Sequence, residues 1–412
     1  MTDNSHNQKT SGQLSSNAML VFIAILSAFP MLATDMYLPA VPSIQEDLNT
    51  TVELVNLTLV VFFITISITG LVLGPLSDRF GRKPIIMYVI SVYVVSSLAC
   101  TFSPNIIFLI VSRVFQAIGC GSGMAISAAI VKDFFPSEKK ERAFAILGAL
   151  TGFVPVVAPI LGAQILKYTS WRGAFVFLSL LGVVTLIFSF FFKETNHDLS
   201  KESIPASLLK LFVVLLNPAF TRLVLLFAMA PLGMMAFIGI SSTIFIRGFG
   251  VSEQVYSYYF AANAVVSIVV ALSYIRISQY IKPLRIISGC FILCIISGIL
   301  IIFFGEFHPM LFLASIAVGS ASFALQRPPA MNLMLEQQDK NTGSASSLMN
   351  CFMGIFGSLG LVIISQEWTN RIFILGIINI LVGVFSSLLW QYSKRRCKIP
   401  DNMILKSKYF DK

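Results

Sequence analysis

The sequence predicts an all-α membrane protein with twelve transmembrane helices, and three observations lead to this fold class. Hydrophobic residues make up 56% of the 412 residues and charged residues only 12%, whereas soluble domains carry about 25% charged residues. The apolar residues lie in blocks of about 18 or more with few charges, which is typical of membrane-spanning helices. The basic residues are concentrated in every second connection between these blocks.

The apolar blocks divide into two groups of six. The predicted spans are 18–40, 51–74, 84–102, 105–128, 143–166, 171–192, 219–246, 254–275, 284–304, 309–331, 344–365 and 371–391. This pattern predicts two pseudo-symmetric six-helix bundles, 18–192 and 219–391, which a central cytoplasmic loop at 193–218 connects. A polar N-terminal tail (1–17) and a basic tail (392–412) flank them. Within the loop, the apolar segment from Pro205 to Asn217 is predicted either to lie on the membrane surface or to extend the seventh helix.

The distribution of lysine and arginine predicts the orientation. If the N-terminus is cytoplasmic, 24 of the 29 basic residues lie in cytoplasmic segments. Only Lys167, Arg172, Arg247 and Arg371 lie on the opposite side, and Arg113 lies inside a span. Because cytoplasmic loops are enriched in basic residues, both termini are predicted to be cytoplasmic. The net charge of +10 then needs no nucleic-acid partner, and we interpret the basic tail as an anchor to anionic membrane lipid.

Residue types that could bind a metal or carry out covalent catalysis are scattered along the sequence. His6, His197 and His308 are isolated, and five of the six cysteines lie inside apolar blocks without metal-ligand spacing. The sequence contains no GxxxxGK[ST] phosphate-binding loop. We therefore expect no metal and no cofactor, and the sequence argues against an enzyme or an ATP-driven pump.

Two charged residues lie well inside predicted spans. Asp35 lies in the first span, where an acid at mid-helix costs roughly 2.5–3.5 kcal/mol. We interpret it as a protonatable group facing a water-filled cavity, with a solvated carboxylate near a helix end as the alternative. Arg113 lies in the fourth span and needs an acid, a water cavity or backbone carbonyls; Gln116 shares its helix face. A direct or water-mediated link between Arg113 and Asp35 is attractive, with a purely packing-stabilising pair as the alternative.

A tight basic turn connects the second and third spans. It runs from Gly74 to Pro84 with the sequence GPLSDRFGRKP. Asp78 can pair with a base or cap the following helix, and Gly81 permits a positive φ. The turn's basic residues can reach carbonyls at helix C-termini and lipid phosphates; they are Arg79, Arg82 and Lys83.

Small residues and prolines line one face of the fifth span. They are Gly148, Gly152, Pro155, Pro159 and Gly162. Small residues at this spacing allow close backbone contact, and the prolines kink the helix. The face is interpreted either as ordinary tight packing or as an interface that rocks during a conformational change.

These motifs together resemble the major facilitator superfamily, and within it the twelve-helix drug:proton antiporter branch of Bcr/CflA type. The matching segments are Thr34 to Leu48, Gly74 to Pro84, Arg113 to Gly121, Gly152 to Gly162, Trp171 to Phe175 and Gly343 to Leu348. The fifth-span segment is similar to that branch's antiporter motif, although Ala158 stands where the motif usually has glycine.

The resemblance implies alternating access between the two halves, driven by a proton gradient. It implies that Asp35 takes the proton and that Arg113 couples to it. Asp78, with Arg79 and Arg82, is expected to latch the cytoplasmic side in the outward-facing state. Some relatives carry a second acid in the first helix, whereas Asp35 is alone here, so the proton stoichiometry stays open.

The expected function is proton-coupled efflux of small amphipathic compounds or drugs, by a monomer in a bacterial inner membrane. An exporter of one metabolite, such as an amino acid derivative or a siderophore, is the first alternative, and a membrane sensor or enzyme that transports nothing is the remote one. Polar, aromatic and flexible side chains on the spans are candidates for the substrate cavity, although such aromatics are commonly packing residues. These candidates are Tyr37, Asn56, Phe62, Gln116, Met234, Phe237, Tyr258, Tyr259, Asn263 and Gln326.

Overall fold

The computed structural model describes residues 15–196, 198–338 and 341–396, and all regular structure in these residues is helical. The predicted fold class is confirmed, because twelve described helical segments are long and apolar enough to span a membrane. They are Ser16–Asp47, Val52–Phe80, Arg82–Thr101, Ile106–Phe134, Ser137–Tyr168, Trp171–Phe191, Pro218–Gly248, Glu253–Tyr280, Pro283–Phe304, Pro309–Leu335, Thr342–Ser365 and Arg371–Lys394. Most of the N-terminal tail and of the basic tail lies outside the described residues, so the lipid anchor stays a prediction.

Two spans are interrupted helices. The first consists of an α-helix over Ser16–Asp35, a 3-10 turn over Leu38–Ala40 and a short helix over Val41–Asp47. The helix passes through Pro30 without a break and ends at Asp35 instead. The seventh span consists of helices over Pro218–Ala228 and Ala230–Ser242, followed by a π-helical turn over Thr243–Gly248. The twelfth helix continues to Arg396.

The apolar segment of the central loop forms its own helix, Ile204–Leu215. Ser203 caps its N-terminus, and Asn217 caps the next helix by accepting hydrogen bonds from Ala219 N and Phe220 N. Because these caps separate the two helices, the segment does not extend the seventh span. It packs against the second, seventh and eleventh spans and leaves Leu209 and Phe212 exposed.

The two groups of six spans meet mainly through two helix pairs, the second with the eleventh and the fifth with the eighth. We call the end of the molecule that carries Arg82, Lys132 and Arg285 the basic end, and the other the opposite end. At the opposite end, Arg247 of the seventh span reaches across to the first span. Its guanidinium donates to Gln45 Oε1 (2.6 Å), Glu46 Oε1 (2.9 Å) and the carbonyl of Pro42 (3.0 Å).

Further contacts close the opposite end between the fifth and eighth spans. Ser257 Oγ donates to the carbonyl of Pro159 (3.0 Å), and Gln254 Nε2 donates to that of Ala163 (3.3 Å). At the basic end the same fifth span faces open space, because no atom lies within 4 Å of a Cβ built on Gly148 or Gly152. The structure is therefore closed at the opposite end and open along the fifth span at the basic end.

Replacing Arg247 with alanine is expected to open the opposite end. Exposed ion pairs contribute about 0–1 kcal/mol, so losing these contacts should raise the ratio of open to closed molecules by up to about fivefold. A cysteine at Ser365, which is 4% exposed and bonded to Asn56 of the other half, reports the opening through its rate of thiol labelling.

The matched control is Arg172→Ala. Arg172 has the same side-chain exposure as Arg247, 34%, but pairs with Asp47 within its own half. Its loss should leave the labelling rate at Ser365→Cys unchanged. Equal labelling rates in the two arginine variants would contradict the assignment of Arg247 as a contact between halves.

Candidate functional site

Asp35 is buried where the helix of the first span ends. Asp35 is 8% exposed, and its Oδ1 accepts a hydrogen bond from Thr34 Oγ1 (3.1 Å). It takes part in none of the ion pairs of the described residues. The turn that follows it, Leu38–Ala40, packs against the seventh and eighth spans of the other half, where the buried Tyr256 hydroxyl is hydrogen-bonded to Ser241 Oγ (2.9 Å). The carboxyl group thus lies where the two halves meet.

Arg113 is fully buried and is held without a carboxylate. Its Nη1 donates to the carbonyl of Ala33 (3.0 Å) and to Gln116 Oε1 (2.7 Å). The carbonyl of Ala33 lies in the last turn of its helix, where carbonyls lack intrahelical partners. A cation at this helix end also interacts favourably with the helix dipole.

Three aromatic rings surround the Arg113 guanidinium. Its central carbon lies 4.3 Å from the ring centroid of Phe62, 5.1 Å from that of Tyr37 and 5.9 Å from that of Phe175. Cation–π attraction of this kind strengthens when the cation is desolvated. Among the ion pairs of the described residues there is none between Arg113 and Asp35, because Arg113 reaches the carbonyl two residues before Asp35. Its buried Nε and Nη2 have no hydrogen-bond partner in the protein, so the water-mediated link stays a prediction.

Three of the predicted cavity residues, Tyr37, Phe62 and Gln116, contact the Arg113 guanidinium, and two others, Asn56 and Asn263, are buried polar residues elsewhere on the spans. Tyr37 and Phe62 are two of the three rings around the guanidinium, and Gln116 Nε2 donates in turn to Ser97 Oγ (2.9 Å). Asn56 donates to Ser365 Oγ (2.9 Å) in the other half. Asn263 is 1% exposed, and its Oδ1 has no hydrogen-bond partner.

The other predicted residues lie elsewhere in the C-terminal half. Phe237 stacks on Phe260, and Tyr259 stacks on Phe245. Met234 and Gln326 line a separate cavity inside that half. Tyr258 is 55% exposed, so it is not one of the buried residues of the central site, and its place in a substrate cavity stays a prediction. The turn of the eighth span directs Tyr256 inward instead, two residues earlier.

Arg82 organises the basic turn between the second and third spans. It pairs with Asp78 (2.6 Å) and with Asp133 of the fourth span (3.1 Å), and it donates to Ser77 Oγ (2.6 Å). Asp78 remains 52% exposed and is turned toward its own half. Among the ion pairs of the described residues, none joins Asp78 to the C-terminal half, and its role as a latch stays a prediction.

Glu194, just after the sixth span, binds this turn in place. Its carboxylate accepts hydrogen bonds from the backbone amides of Arg82 and Lys83, at the start of the third span (both 2.9 Å), and from those of Thr195 and Asn196. Burial raises the pKa of Glu194, but these four amides outweigh it and hold the pKa below its usual value. Gly81 has φ +96°, and a Cβ there would lie 2.6 Å from the carboxylate.

The sequence interpretation missed Asp133, Glu194, Tyr256 and the bridging role of Arg247. Asp133 and Glu194 looked like ordinary loop acids, since only folding brings them to a turn 51 and 112 positions away. A usable signal was present for one of them: the turn holds three bases and one acid, so it needed further carboxylates.

Replacing Glu194 with glutamine is expected to lower the melting temperature of the detergent-solubilised protein. Hydrogen bonds to a charged acceptor contribute about 1.5–3 kcal/mol, and glutamine keeps the shape without the charge. Because the folded pKa is lowered, the stabilisation is present above the usual glutamate pKa of 4.5 and is lost as the pH falls through the folded value. The difference from wild type should therefore be constant near neutral pH and shrink only in acid.

Glu202→Gln is the control for this substitution. Glu202 belongs to the same loop but pairs with Lys210 and bonds to Ser207, both within residues 202–210, and does not contact the turn's backbone amides. A melting temperature that falls equally in both variants, or that is unchanged in Glu194→Gln, would argue against Glu194 as the anchor of the turn.

Comparisons with known proteins agree with this architecture. The sequence model of the Major Facilitator Superfamily matches residues 23–361. An uncharacterized MFS-type transporter, YdgK of Bacillus subtilis, is 28% identical over 90% of this chain and 94% of its own length. A chloramphenicol resistance protein of Pseudomonas aeruginosa is 28% identical over 88% of this chain and 89% of its own.

A solved structure shows the same fold. A bacterial homolog of the human lysosomal transporter Spinster, in an inward-facing and occupied conformation, superposes with a TM-score of 0.74 at 14% identity. The similarity covers 92% of this chain and 97% of that one. The chain is therefore a multi-pass membrane transporter that belongs to the Major Facilitator Superfamily.

Proposed function

We propose that this transporter exports small amphipathic compounds in exchange for protons, by alternating access between its two halves. The observation that carries the proposal is the position of Asp35. It is an acid buried inside a span, at a helix end, beside the contacts that close one end of the molecule. An ionisable residue in that position is typical of proton pathways in transporters.

Protonation of Asp35 suits the closed opposite end. An ionised carboxylate buried there would form no ion pair with a cation of the described residues to offset its desolvation, because Arg113 donates to the carbonyl of Ala33. A protonated carboxyl carries no such cost. Loss of the proton therefore destabilises this arrangement and favours separation of the halves at the opposite end, where water can solvate the charge.

The exchange cycle follows from this difference. In the inward-facing state, open at the basic end, Asp35 releases its proton to the cytoplasm and the compound binds. The loaded transporter opens at the opposite end, where Asp35 takes up an external proton and the compound leaves. The electrical gradient supplies roughly 2.3 kcal/mol per charge per 100 mV.

The proposed setting is the inner membrane of a bacterium, with the basic end and both termini in the cytoplasm and the protein acting as a monomer among membrane lipids. The excess of lysine and arginine at the basic end supports this orientation. The relative named for chloramphenicol resistance supports drugs as substrates. Chloramphenicol is therefore the first compound for a panel that also includes cationic drugs and metabolites.

The test is transport by purified protein in proteoliposomes across an imposed pH gradient. Wild type should move at least one panel compound against its gradient, with protons moving the other way. Asp35→Asn should reduce this transport to the rate of empty liposomes, because an amide cannot exchange a proton. Asp47→Asn is the control, since Asp47 lies in the same span but pairs with Arg172.

Unchanged transport by Asp35→Asn would contradict the assignment of Asp35, and loss of transport in both variants would point to damage to the first span. Transport by wild type that is independent of the pH gradient would overturn proton exchange altogether.

A further inference from the structure

The C-terminal half contains a small polar cavity of its own. It has a volume of about 20 Å³ and lies between the seventh, ninth, tenth and twelfth spans. Its polar lining includes Gln326, Asn379, Ser386 and Cys294. A buried water needs a cavity of about 10–15 Å³, so this cavity has room for one water or one small functional group.

Two polar groups that line the cavity lack partners within the protein. Gln326 is 4% exposed and Ser386 is fully buried, and neither Gln326 Nε2 nor Ser386 Oγ has a hydrogen-bond partner. An unsatisfied buried donor carries the full cost of its desolvation, so such groups in native proteins mark the place of a water or a ligand. Both belong to the same cavity, on the tenth and twelfth spans.

The hydroxyls of the other two lining serines already donate, Ser320 Oγ to Met234 Sδ (3.5 Å) and Ser322 Oγ to the carbonyl of Cys290 (2.6 Å). Asn379 Nδ2 donates to the carbonyl of Leu375 (2.9 Å). Among the described residues, Asn379 Oδ1 has as partner the weakly donating thiol of Cys294 (3.7 Å), which lies closer to the backbone carbonyl of Asn379 (3.3 Å). The cavity therefore offers free donors from Gln326 and Ser386 and a largely free acceptor from Asn379. A group that both accepts and donates hydrogen bonds fits this set.

The lining contains no aspartate, glutamate, lysine, arginine or histidine. A charged group entering the cavity would lose its hydration without gaining an opposite charge, so the cavity selects against ions. Phe291 and Phe323 and the thioether of Met234 complete the walls and suit an adjoining apolar part. Met234 and Phe323 are only half-buried, and methionine adapts its shape readily, so this side of the cavity can yield to an entering group.

We propose that this cavity receives an uncharged hydroxyl or amide group of the exported compound, held by Gln326, Ser386 and Asn379. The inference rests on the proposed function and deepens it, since it assigns selection of neutral hydrogen-bonding compounds to the C-terminal half. Proton exchange at Asp35 then belongs to the first span and recognition of the polar group to the tenth and twelfth.

The experiment compares two probes on purified protein in lipid nanodiscs. Chloramphenicol is neutral and carries hydroxyl and amide groups, whereas tetraphenylphosphonium is a permanent cation without hydrogen-bond donors. Gln326→Met keeps the length of the side chain and removes its amide. It should weaken binding of chloramphenicol by about tenfold, as expected for hydrogen bonds within a buried site, and leave tetraphenylphosphonium binding within twofold.

Ser386→Ala should weaken chloramphenicol binding in the same direction. Ser387→Ala is its matched control, because the neighbouring serine does not line the cavity, and it should bind both probes as wild type does. Melting temperatures of all variants show that each is folded.

Three results would overturn the proposal. The first is unchanged affinity of Gln326→Met for chloramphenicol, which shows that the cavity holds water alone. If wild type still transports the compound in exchange for protons, the proposed function stands. An equal loss of affinity for both probes shows that Gln326 has a structural role. The third result is that wild type neither binds nor transports chloramphenicol or any other neutral compound of the panel. The proposed site for a neutral group would then have no ligand, even if cationic drugs are transported.

Discussion

The hydrocarbon core of a membrane provides no partners for a charged side chain, and the arrangement of the N-terminal half follows from how it meets this constraint. Arg113 obtains a carbonyl, a glutamine and three aromatic rings. The carbonyl is that of Ala33, in the last turn of the first helix of the first span. A side chain of the fourth span is therefore hydrogen-bonded to the backbone beside the point where the first span is interrupted. Asp35 lies two residues further along with only a hydroxyl donor beside it. The groups that contact the fixed charge all belong to one half, although its buried Nε and Nη2 have no hydrogen-bond partner. The titratable group is left at the boundary with the other half.

The closed end of the molecule is built around the same break. Gly162 of the fifth span allows such close approach to the first span that a Cβ would meet the carbonyl oxygen of Met36, the residue after Asp35. The carbonyl of Pro159 accepts a hydrogen bond from Ser257 of the eighth span, and Arg247 binds the short helix that follows the break. The two parts of the small-residue face of the fifth span therefore have different surroundings. Its opposite-end part is packed, while Gly148 and Gly152 face open space, as an interface that closes at either end in turn requires.

The sequence predicted the spans closely, because the length and composition of an apolar block are local properties. It also identified Asp35, Arg113 and the basic turn, since charge in an apolar block is conspicuous. What it did not reveal is what folding brings together. The partner of Arg113 is a backbone carbonyl, which no side-chain pattern reveals, and the choice between Tyr256 and Tyr258 depends on a rotation of about 200° around the helix. Glu194 binds a turn 112 positions away, and nothing in its local sequence distinguishes it from other loop acids.

The central claim is that the charge on Asp35 decides which end of the transporter is closed. The most direct test is the distance between spin labels at Lys167→Cys and Ser252→Cys, exposed positions at the closed ends of the fifth and eighth spans, in lipid at acidic and at alkaline pH. The account predicts a short distance in acid, a longer one at alkaline pH that substrate favours further, and a short distance at every pH when Asp35 is replaced by asparagine. A distance that does not change with pH in the wild type, or that still changes with pH in the Asp35→Asn variant, would contradict it.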